Sequence, residues 1–498
     1  MRILLLIMMM LACAGTKAQE AAAEMPRPDT LRISLEDAIL RARARSVDAA
    51  VALNRLRTAY WEYRTYRAEL LPEVNFNATL PAYRKQYSSY QNPDGTYSFV
   101  RTNYTQLNGE LSVSQNIWLT GGTLSLNTSL DFLRQLDSPV YNRYMSIPVA
   151  LTLSQPIFGV NTVKWDRKIE PVRYSEAKAE FMSATEEVAM SAISYFFNLL
   201  LARENHAIAR QNLATAERLY EVAGEKRKMG RISENDLLQM ELNLLEAQSD
   251  LTDCESSLKS NMFQLRSFLD YDGDVILVPE APAELPAVDL TFGDALDKAL
   301  ANNKFSKNLL RRQLEADYEV AKARGDLRRI DLFAQVGFTG TGAQFKNAYD
   351  PLKDNQVVEI GVKIPLLDWG KRRGRVKVAE SNRRTIESQL RQESRNFNQD
   401  LFILVERFNN QQRQLDIARQ ATAIADRRYN TNVETFLIGK ISTLDLNDSQ
   451  AKKDQSRQTY INQLYLFWHY YYQLRSLTLW DYASSRPIDA DIDAILRQ

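Results

Sequence analysis

The chain has 498 residues and an almost balanced charge, with 63 Lys and Arg against 62 Asp and Glu. This balance gives no general attraction to nucleic acid, so we predict no nucleic-acid partner. The length allows several domains, but no Pro-, Gly- or Ser-rich linker separates the chain into pieces, and a single elongated architecture is therefore allowed.

The first residues have the layout of a secretory signal. Arg2 precedes an apolar run over 3–11, and small residues follow it. We therefore predict a signal peptide over 1–19 and an N-terminal extension over 20–33. A lipidated Cys13 is the alternative to simple cleavage.

Helix and strand patterns then alternate through the first half. Apolar residues at helical spacing predict helices over 34–71, 163–229 and 235–269, and alternating apolar and polar residues predict four strands within 73–158. The third helix repeats leucine every seven residues, as coiled-coil packing requires, at Leu237, Leu244, Leu251, Leu258 and Leu265. At 1.5 Å per residue, the helix over 163–229 spans roughly 100 Å.

The second half has the same pattern. A linker is predicted over 271–290, strands within 330–366, and a closing segment over 476–498. Three helices are predicted, over 291–329, 369–438 and 443–474. After the signal no apolar run of about 18 residues exists, so we expect this chain to enter a bilayer only through strands, although a one-sided soluble sheet gives the same alternation.

The two halves also align with each other. GRISENDLLQ from Gly230 matches GKISTLDLND from Gly439, and the motif QLRS occurs at the same offset in both halves. Several distant matches in one register indicate duplication. We therefore predict a two-fold internal repeat, with repeat units over 34–270 and 291–475.

Three motifs follow the same order as in a known family. LPEVNF leaves a helix, SQPIF and KIPLLDWG return to long helices, and Gly-x-Ile-Ser marks each tip. In this order and spacing, over nearly the whole mature chain, the sequence resembles the TolC-like outer membrane efflux proteins. The resemblance implies a mainly α fold with membrane strands, in which a homotrimer forms a shared 12-stranded β-barrel in the bacterial outer membrane and an α-helical barrel in the periplasm. It implies outer membrane lipid, a periplasmic adaptor protein and an inner-membrane pump as partners.

The number of strands departs from this family. Its members usually give two strands from each half, whereas the first half here has four, with LTGG at 119–122 turning the extra pair. Either the barrel exceeds twelve strands or the extra hairpin packs elsewhere, and we expect twelve. The segments over 271–290 and 476–498 would form an equatorial belt.

The resemblance also implies a channel gate just after each tip. Asp445 and Asp448 are three residues apart, which places them on one helix face, and Asp236 has the equivalent place in the first half. Threefold symmetry would crowd these carboxylates, raise the pKa of some of them and favour cations. For Asp236 and Asp445, the spacing to Ser233 and Ser442 equally predicts a helix-capping box.

The tips themselves are the implied docking surface for the adaptor. They comprise Gly230, Arg231, Gly439, Lys440 and Phe436. Family members hold the entrance shut with a tyrosine and an arginine, whose places are taken here by Phe436 and Ile441, so those polar contacts are missing. A substitute salt bridge from Lys440 or Arg231 is one alternative, and solvated side chains are the other.

The residue types needed for chemistry are sparse. His206 and His469 lie far apart, Cys254 is the single cysteine after the signal, and no Gly-rich phosphate loop follows a strand. We therefore predict no catalytic, cofactor or metal site, and no enzyme. The predicted function is an outer-membrane channel for efflux or type I secretion. A periplasmic coiled-coil adaptor or scaffold is the alternative, although it should not duplicate strands and helices together.

Overall fold

The structure is a computed structural model that describes residues 30–273, 275–282, 285–286, 288–361, 368–438, 440–488 and 492–497. The predicted signal peptide over 1–19 lies outside these residues. The chain forms two compact units. One, the small unit, contains the described residues up to 42 and those over 192–284; the other, the sheet unit, contains 43–191 and 285–498.

In its described residues, the small unit combines three helical segments with a short sheet. It contains β1 (Thr30–Ile33), α1 (Leu35–Arg45) as far as residue 42, the second part of α3 (Thr162–Lys228), α4 (Glu234–Phe268) and β6 (Ile276–Pro279). Strands β1 and β6 pair in parallel. The sequence analysis did not predict this pair, because each strand has only four residues and its partner is distant in the chain.

The sheet unit contains most of the helices. They are α2 (Val47–Glu69), the first part of α3, α5 (Phe292–Asn302), α6 (Lys304–Gly325), α7 (Lys371–Leu437), α8 (Thr443–Thr478) and α9 (Ile492–Arg497), with a 3-10 turn at Lys346–Ala348 and a two-stranded sheet of β9 (Trp480–Asp481) and β10 (Arg486–Pro487). α3 and α7 each have 67 residues.

Each helix predicted before a set of strands is in fact two helices. The break after α1 falls at Ser46, and the break between α5 and α6 falls at Asn303. At both residues the backbone is extended, and the buried side chain accepts a hydrogen bond from the start of the next helix, at the N–H of Ala49 or Phe305. The prediction of unbroken helices over 34–71 and 291–329 was therefore wrong, because these polar caps satisfy backbone groups that a continuous helix would use.

All the long strands join one antiparallel sheet. Its order is β2 (Glu73–Gln91), β3 (Tyr97–Ile117), β4 (Gly122–Gln135), β5 (Tyr141–Ile157), β7 (Ile330–Gly342) and β8 (Lys353–Gly361). The four strands predicted in the first half are therefore neighbours in one six-stranded sheet. The expectation that the extra hairpin packs elsewhere was wrong, because both of its strands are hydrogen-bonded on two sides.

Next to the sheet, four helices of the sheet unit lie side by side. Tyr63 of α2 stacks on Tyr174 of α3 with ring centres 4.7 Å apart. Glu176 of α3 accepts from Arg311 of α6 at 2.6 Å. Arg312 of α6 then donates to Glu393 of α7 at 2.6 Å. The helix order is therefore α2, α3, α6, α7.

The end of α8 is held by a buried set of charges, the Glu186 cluster, comprising Arg43, Glu186, Tyr471, Arg475 and Asp481. Glu186 is 1% exposed and lies 2.5 Å from Arg43 and 3.0 Å from Arg475. Arg475 also contacts Asp481 at 3.0 Å, and Tyr471 donates to the same carboxylate at 2.8 Å. Burial, reinforced by the bond to Asp481, raises the pKa of Tyr471 to about 12. Burial opposes the charge of Arg475, yet the carboxylate of Glu186 raises its pKa above the ordinary value.

An apolar core adjoins these charges. Leu56, Phe181, Met182 and Leu479 are buried together, and partly buried apolar residues of the C-terminal segment pack against them: Ile488, Ile492, Ile495 and Leu496. The closing segment thus covers α2 and α3 with an apolar face, which adds area removed from water.

Candidate functional site

The second tip joins α7 to α8. Gly439 lies outside the described residues, so its predicted role as the turn remains a prediction. Ser442 and Asp445 form a capping box: the Ser442 hydroxyl accepts from the N–H of Asp445 at 3.2 Å, and the Asp445 carboxylate accepts from the N–H of Ser442 at 3.2 Å. The hydrogen bonds from the hydroxyl and N–H of Ser442 lower the pKa of the Asp445 carboxyl.

One turn further along α8, Asp448 has a partner that the sequence analysis missed. Its carboxylate lies 2.7 Å from the guanidinium of Arg428 on α7, and both side chains are about half exposed. Asn432, also on α7, donates to the backbone oxygen of Asp445 at 3.2 Å. These two contacts fasten the start of α8 to the end of α7. Asp445 and Asp448 share an exposed face, whereas Leu446 between them is buried.

The first tip joins α3 to α4. Gly230 has a positive φ of 67°, which glycine adopts without strain. Its N–H donates to the backbone oxygen of Arg227, and the N–H of Arg231 donates to the backbone oxygen of Lys226. Asp236 forms a capping box with Ser233, whose hydroxyl donates to the carboxylate at 2.7 Å. That bond lowers the pKa of Asp236.

The predicted site residues therefore fall into two groups. In the single chain, Asp236 and Asp445 have lowered pKa values because capping partners bind them, whereas the crowding of carboxylates predicted from the sequence would raise some of these values. Asp448 instead forms an ion pair with a basic side chain, Arg428. The other predicted tip residues are exposed, at Gly230, Arg231 and Lys440, or half-buried, at Phe436. Arg428 was missed because its 20-residue separation from Asp448 is set by the packing of two helices.

The six-stranded sheet has one apolar and one polar face. Residues paired across antiparallel strands lie on the same face. One such row is apolar across five strands: Val74, Val113, Leu126, Leu151 and Val336. The adjacent row, one residue away and hence on the other face, is polar across the same five strands: Glu73, Ser114, Ser125, Thr152 and Gln335.

Among the described residues, the apolar face of the sheet is largely exposed. Val74, Phe76, Leu126 and Val336 are between 47% and 70% exposed. On β4 the apolar face runs from Leu124 to Phe132, about 27 Å along the strand at 3.4 Å per residue, close to the band of about 25 Å typical of membrane strands. An exposed apolar surface of this size indicates an apolar environment outside the chain.

Large aromatic side chains stand where the sheet meets the helices. Trp369 is 89% exposed and Phe158 is 69% exposed, each with a positive φ. The guanidinium of Arg167 lies 4.4 Å from the ring centre of Trp118. This pairing of exposed aromatic and basic groups is typical of a boundary between lipid and water.

Among the described residues, no group of three or more His, Cys, Asp and Glu side chains is arranged to hold a metal ion. None of the helices in the described part of the chain has a stretch both long and apolar enough to cross a membrane.

Solved structures with the same fold come from several bacteria. The outer membrane channel CmeC of Campylobacter jejuni matches over 93% of this chain and 88% of its own, with 14% identity and a TM-score of 0.64. The outer membrane protein VceC of Vibrio cholerae matches over 91% and 97%, with 14% identity and a TM-score of 0.61. The open state of the MtrE outer membrane channel of Neisseria gonorrhoeae matches over 89% and 88%, with 14% identity and a TM-score of 0.57. No curated protein matches the chain.

The family comparison confirms the resemblance found in the sequence. The outer membrane efflux protein model matches residues 38–269 and 286–478, which together make up most of the chain. Both of its segments contain predicted strands and a predicted tip. The chain therefore belongs to the outer membrane efflux protein family, and it is a protein of the bacterial outer membrane that extends into the periplasm.

Proposed function

We propose that three copies of this chain form the outer membrane exit channel of a tripartite efflux or type I secretion system. The observation that carries the proposal is the sheet, whose apolar row from Val74 to Val336 lies one residue away from a polar row. When such sheets close into a ring, the apolar face contacts lipid and the polar face lines water.

The helices continue this conduit into the periplasm. We infer two duplicated units, over 34–270 and 291–475, with the segments over 271–290 and 476–498 as a belt. The tips receive the hairpins of a periplasmic adaptor, which links the channel to an inner-membrane pump. Arg231 and Lys440, which are exposed beside the turns, supply charge for this docking.

The gate is assigned to the start of α8. Asp445 and Asp448 expose their carboxylates on one helix face, and a threefold axis would gather them into an acidic ring. Arg428 holds Asp448 against α7 at 2.7 Å, a polar contact that Phe436 and Ile441 cannot make. Parting α8 from α7 would break this ion pair and release Asp448, which couples adaptor docking to the charge of the entrance.

Conductance in planar lipid bilayers tests both the proposed channel and the proposed gate. The full-length protein should give discrete channel steps, and divalent cations should block them. Replacing Asp445 and Asp448 with Ala should weaken that block several-fold, because fewer carboxylates attract the cation. Asp416→Ala, which removes an exposed carboxylate from α7 away from the tip, is the matched control and should leave the block unchanged.

Two results would contradict the proposal. An unchanged divalent block in the double variant, with channel steps intact, would remove the gate assignment. Release of the protein from cells by osmotic shock, with no conductance after detergent extraction, would remove the channel itself and favour a soluble periplasmic role.

A further inference from the structure

The proposed channel leaves open how many strands each copy gives to the membrane. The extra hairpin, β3 and β4, is attached to the helical layer at its turn. Asn161, beside the start of α3, donates to the backbone oxygen of Trp118 at 2.9 Å, and Gln155 donates to that of Thr120 at 3.0 Å. Gln115 of β3 donates to the oxygen of Leu70 at the end of α2 at 3.0 Å. The hairpin is thus tied to the same helices as the other strands.

The hairpin also shares the two faces of the sheet. Val113 and Leu126 continue the exposed apolar row, and Ser114 and Ser125 continue the polar row. A hairpin that packed against another part of the protein would need no such match. The alternation of apolar and polar residues along β3 and β4 is typical of strands with lipid on one face and water on the other.

In the described part of the chain, β2 and β8 each pair with one strand only, so the sheet has two bare edges, and these fit each other. At one edge, β2 offers an uninterrupted stretch over 73–79, and Pro81 falls only at the irregularity that follows. At the other edge, β8 offers Lys353–Gly361. Because β2 leaves the helices and β8 returns to them, β2 of one copy meets β8 of the next in antiparallel fashion. Long bare edges of this kind form hydrogen bonds with another chain.

The helical layer ends at the corresponding places. α2 leads into β2, and α7 follows β8, so the outer helices of the four-helix row stand below the outer strands. Each copy therefore has two unlike edges, which generate a closed ring when identical copies join head to tail. The partner that fits both edges is a second copy of this chain.

We infer that all six strands of each copy enter the membrane wall, which closes through seams between β2 and β8 of neighbouring copies into a ring of eighteen strands. This inference rests on the proposed trimeric channel. A ring of this size encloses a water-filled passage. The membrane section is then wide, and in the proposed channel the conduit narrows at the tips.

Electron cryo-microscopy of the full-length protein in lipid nanodiscs tests the strand count. Eighteen strands in the membrane section of a trimer are expected. A trimer with twelve would overturn the inference while leaving the proposed function in place. Monomers without conductance would overturn the proposed function and, with it, the inference.

Disulfide cross-linking tests the seam itself. In a Cys254→Ser background, one cysteine on β2 is combined with Lys353→Cys or Asn355→Cys on β8, all on the polar face. The β2 cysteine is placed in turn at Asn75, Asn77, Thr79, Ala82 and Arg84, because strand tilt in a closed ring staggers the seam by several residues. Oxidation should convert at least one combination into covalent dimers and trimers on denaturing gels, while each single-cysteine variant stays monomeric. Conducting trimers in which no combination cross-links would overturn the seam.

Discussion

The Glu186 cluster and the sheet differ in where their side chains find interaction partners. In the cluster, a carboxylate that is 1% exposed is met by two guanidinium groups from the same chain. In the sheet, apolar side chains such as Phe76 remain 70% exposed, although Leu111 lies opposite on the neighbouring strand. The cluster is complete in one copy, whereas in the proposed channel the sheet is completed by lipid and by the edge of a neighbouring copy. On this proposal the helical part is stabilised within one chain, and the sheet is stabilised by the assembly.

The largest expected effect is at the cluster. Glu186→Gln leaves Arg43 and Arg475 facing a neutral amide, and removing one partner of a buried ion pair costs about 3–5 kcal/mol. The matched control is Glu187→Gln, because Glu187 is 55% exposed and 3.7 Å from Lys304, so its loss should cost under about 1 kcal/mol. Denaturant unfolding in detergent measures both. Equal shifts of the two midpoints would show that the cluster is not self-sufficient.

The next effect belongs to the sheet and should require the membrane. Leu111→Arg places a charge on the apolar face, which costs about 2–4 kcal/mol per copy near the bilayer midplane. Ser112→Arg places the same charge on the polar face and should be tolerated. The amount of heat-modifiable trimer in isolated outer membranes is the measurement. If the Ser112→Arg variant lost the trimer while the Leu111→Arg variant kept it, the assignment of the two faces would be reversed.

A smaller effect is expected at the tips. Their capping residues have hydrogen-bond partners within the chain, as the cluster does, but they are exposed to solvent. Ser442→Ala removes the hydroxyl of the capping box and should cost about 1 kcal/mol. Hydrogen exchange at the start of α8 should quicken accordingly. Ser233→Ala should quicken exchange more strongly at its own tip, because the ion pair across that tip, Arg227 with Glu234, is longer at 3.7 Å than the 2.7 Å pair of Arg428 with Asp448. Equal exchange at both tips would remove the stabilising role of that pair.

The smallest effect is the response of the cluster to acid. Burial raises the pKa of Asp481, but hydrogen bonds from Ser484 and Tyr471 and the charge of Arg475 outweigh it and lower the value overall. Its contribution to stability is therefore present above the unfolded-state pKa of about 4 and is lost as the pH falls through the lower folded-state value. Asp481→Asn should make the unfolding midpoint less dependent on pH below about 4. An unchanged slope would assign acid sensitivity to other carboxylates.

Local signals made the long helices predictable. Ser233 and Ser442 each precede an aspartate by three residues, and the helices that follow begin within one residue of the predicted starts. Gly230 likewise marks the end of α3. The alternation of the strands predicted the two faces of the sheet, because each strand carries its own pattern of polar and apolar residues.

Features set by distant contacts escaped prediction. Ser46 and Asn303 fit a helical pattern, and only their burial and capping bonds show that the helix breaks there. The pair of Arg428 with Asp448 depends on the alignment of α7 with α8, which no local pattern encodes. The place of the extra hairpin depended on its pairing with β2 and β5, which alternation alone does not specify.

The bare β2 edge has a consequence for biogenesis. A newly exported copy that folded this sheet in water would present both an apolar face and an unpaired strand, the two features that promote aggregation. The helices can pack beforehand, but the strands need lipid and a neighbour at the same moment. On the proposed assembly, we therefore expect the exported chain to leave these strands unformed until a bilayer and a neighbouring copy are present, and closing the ring covers the last bare edge.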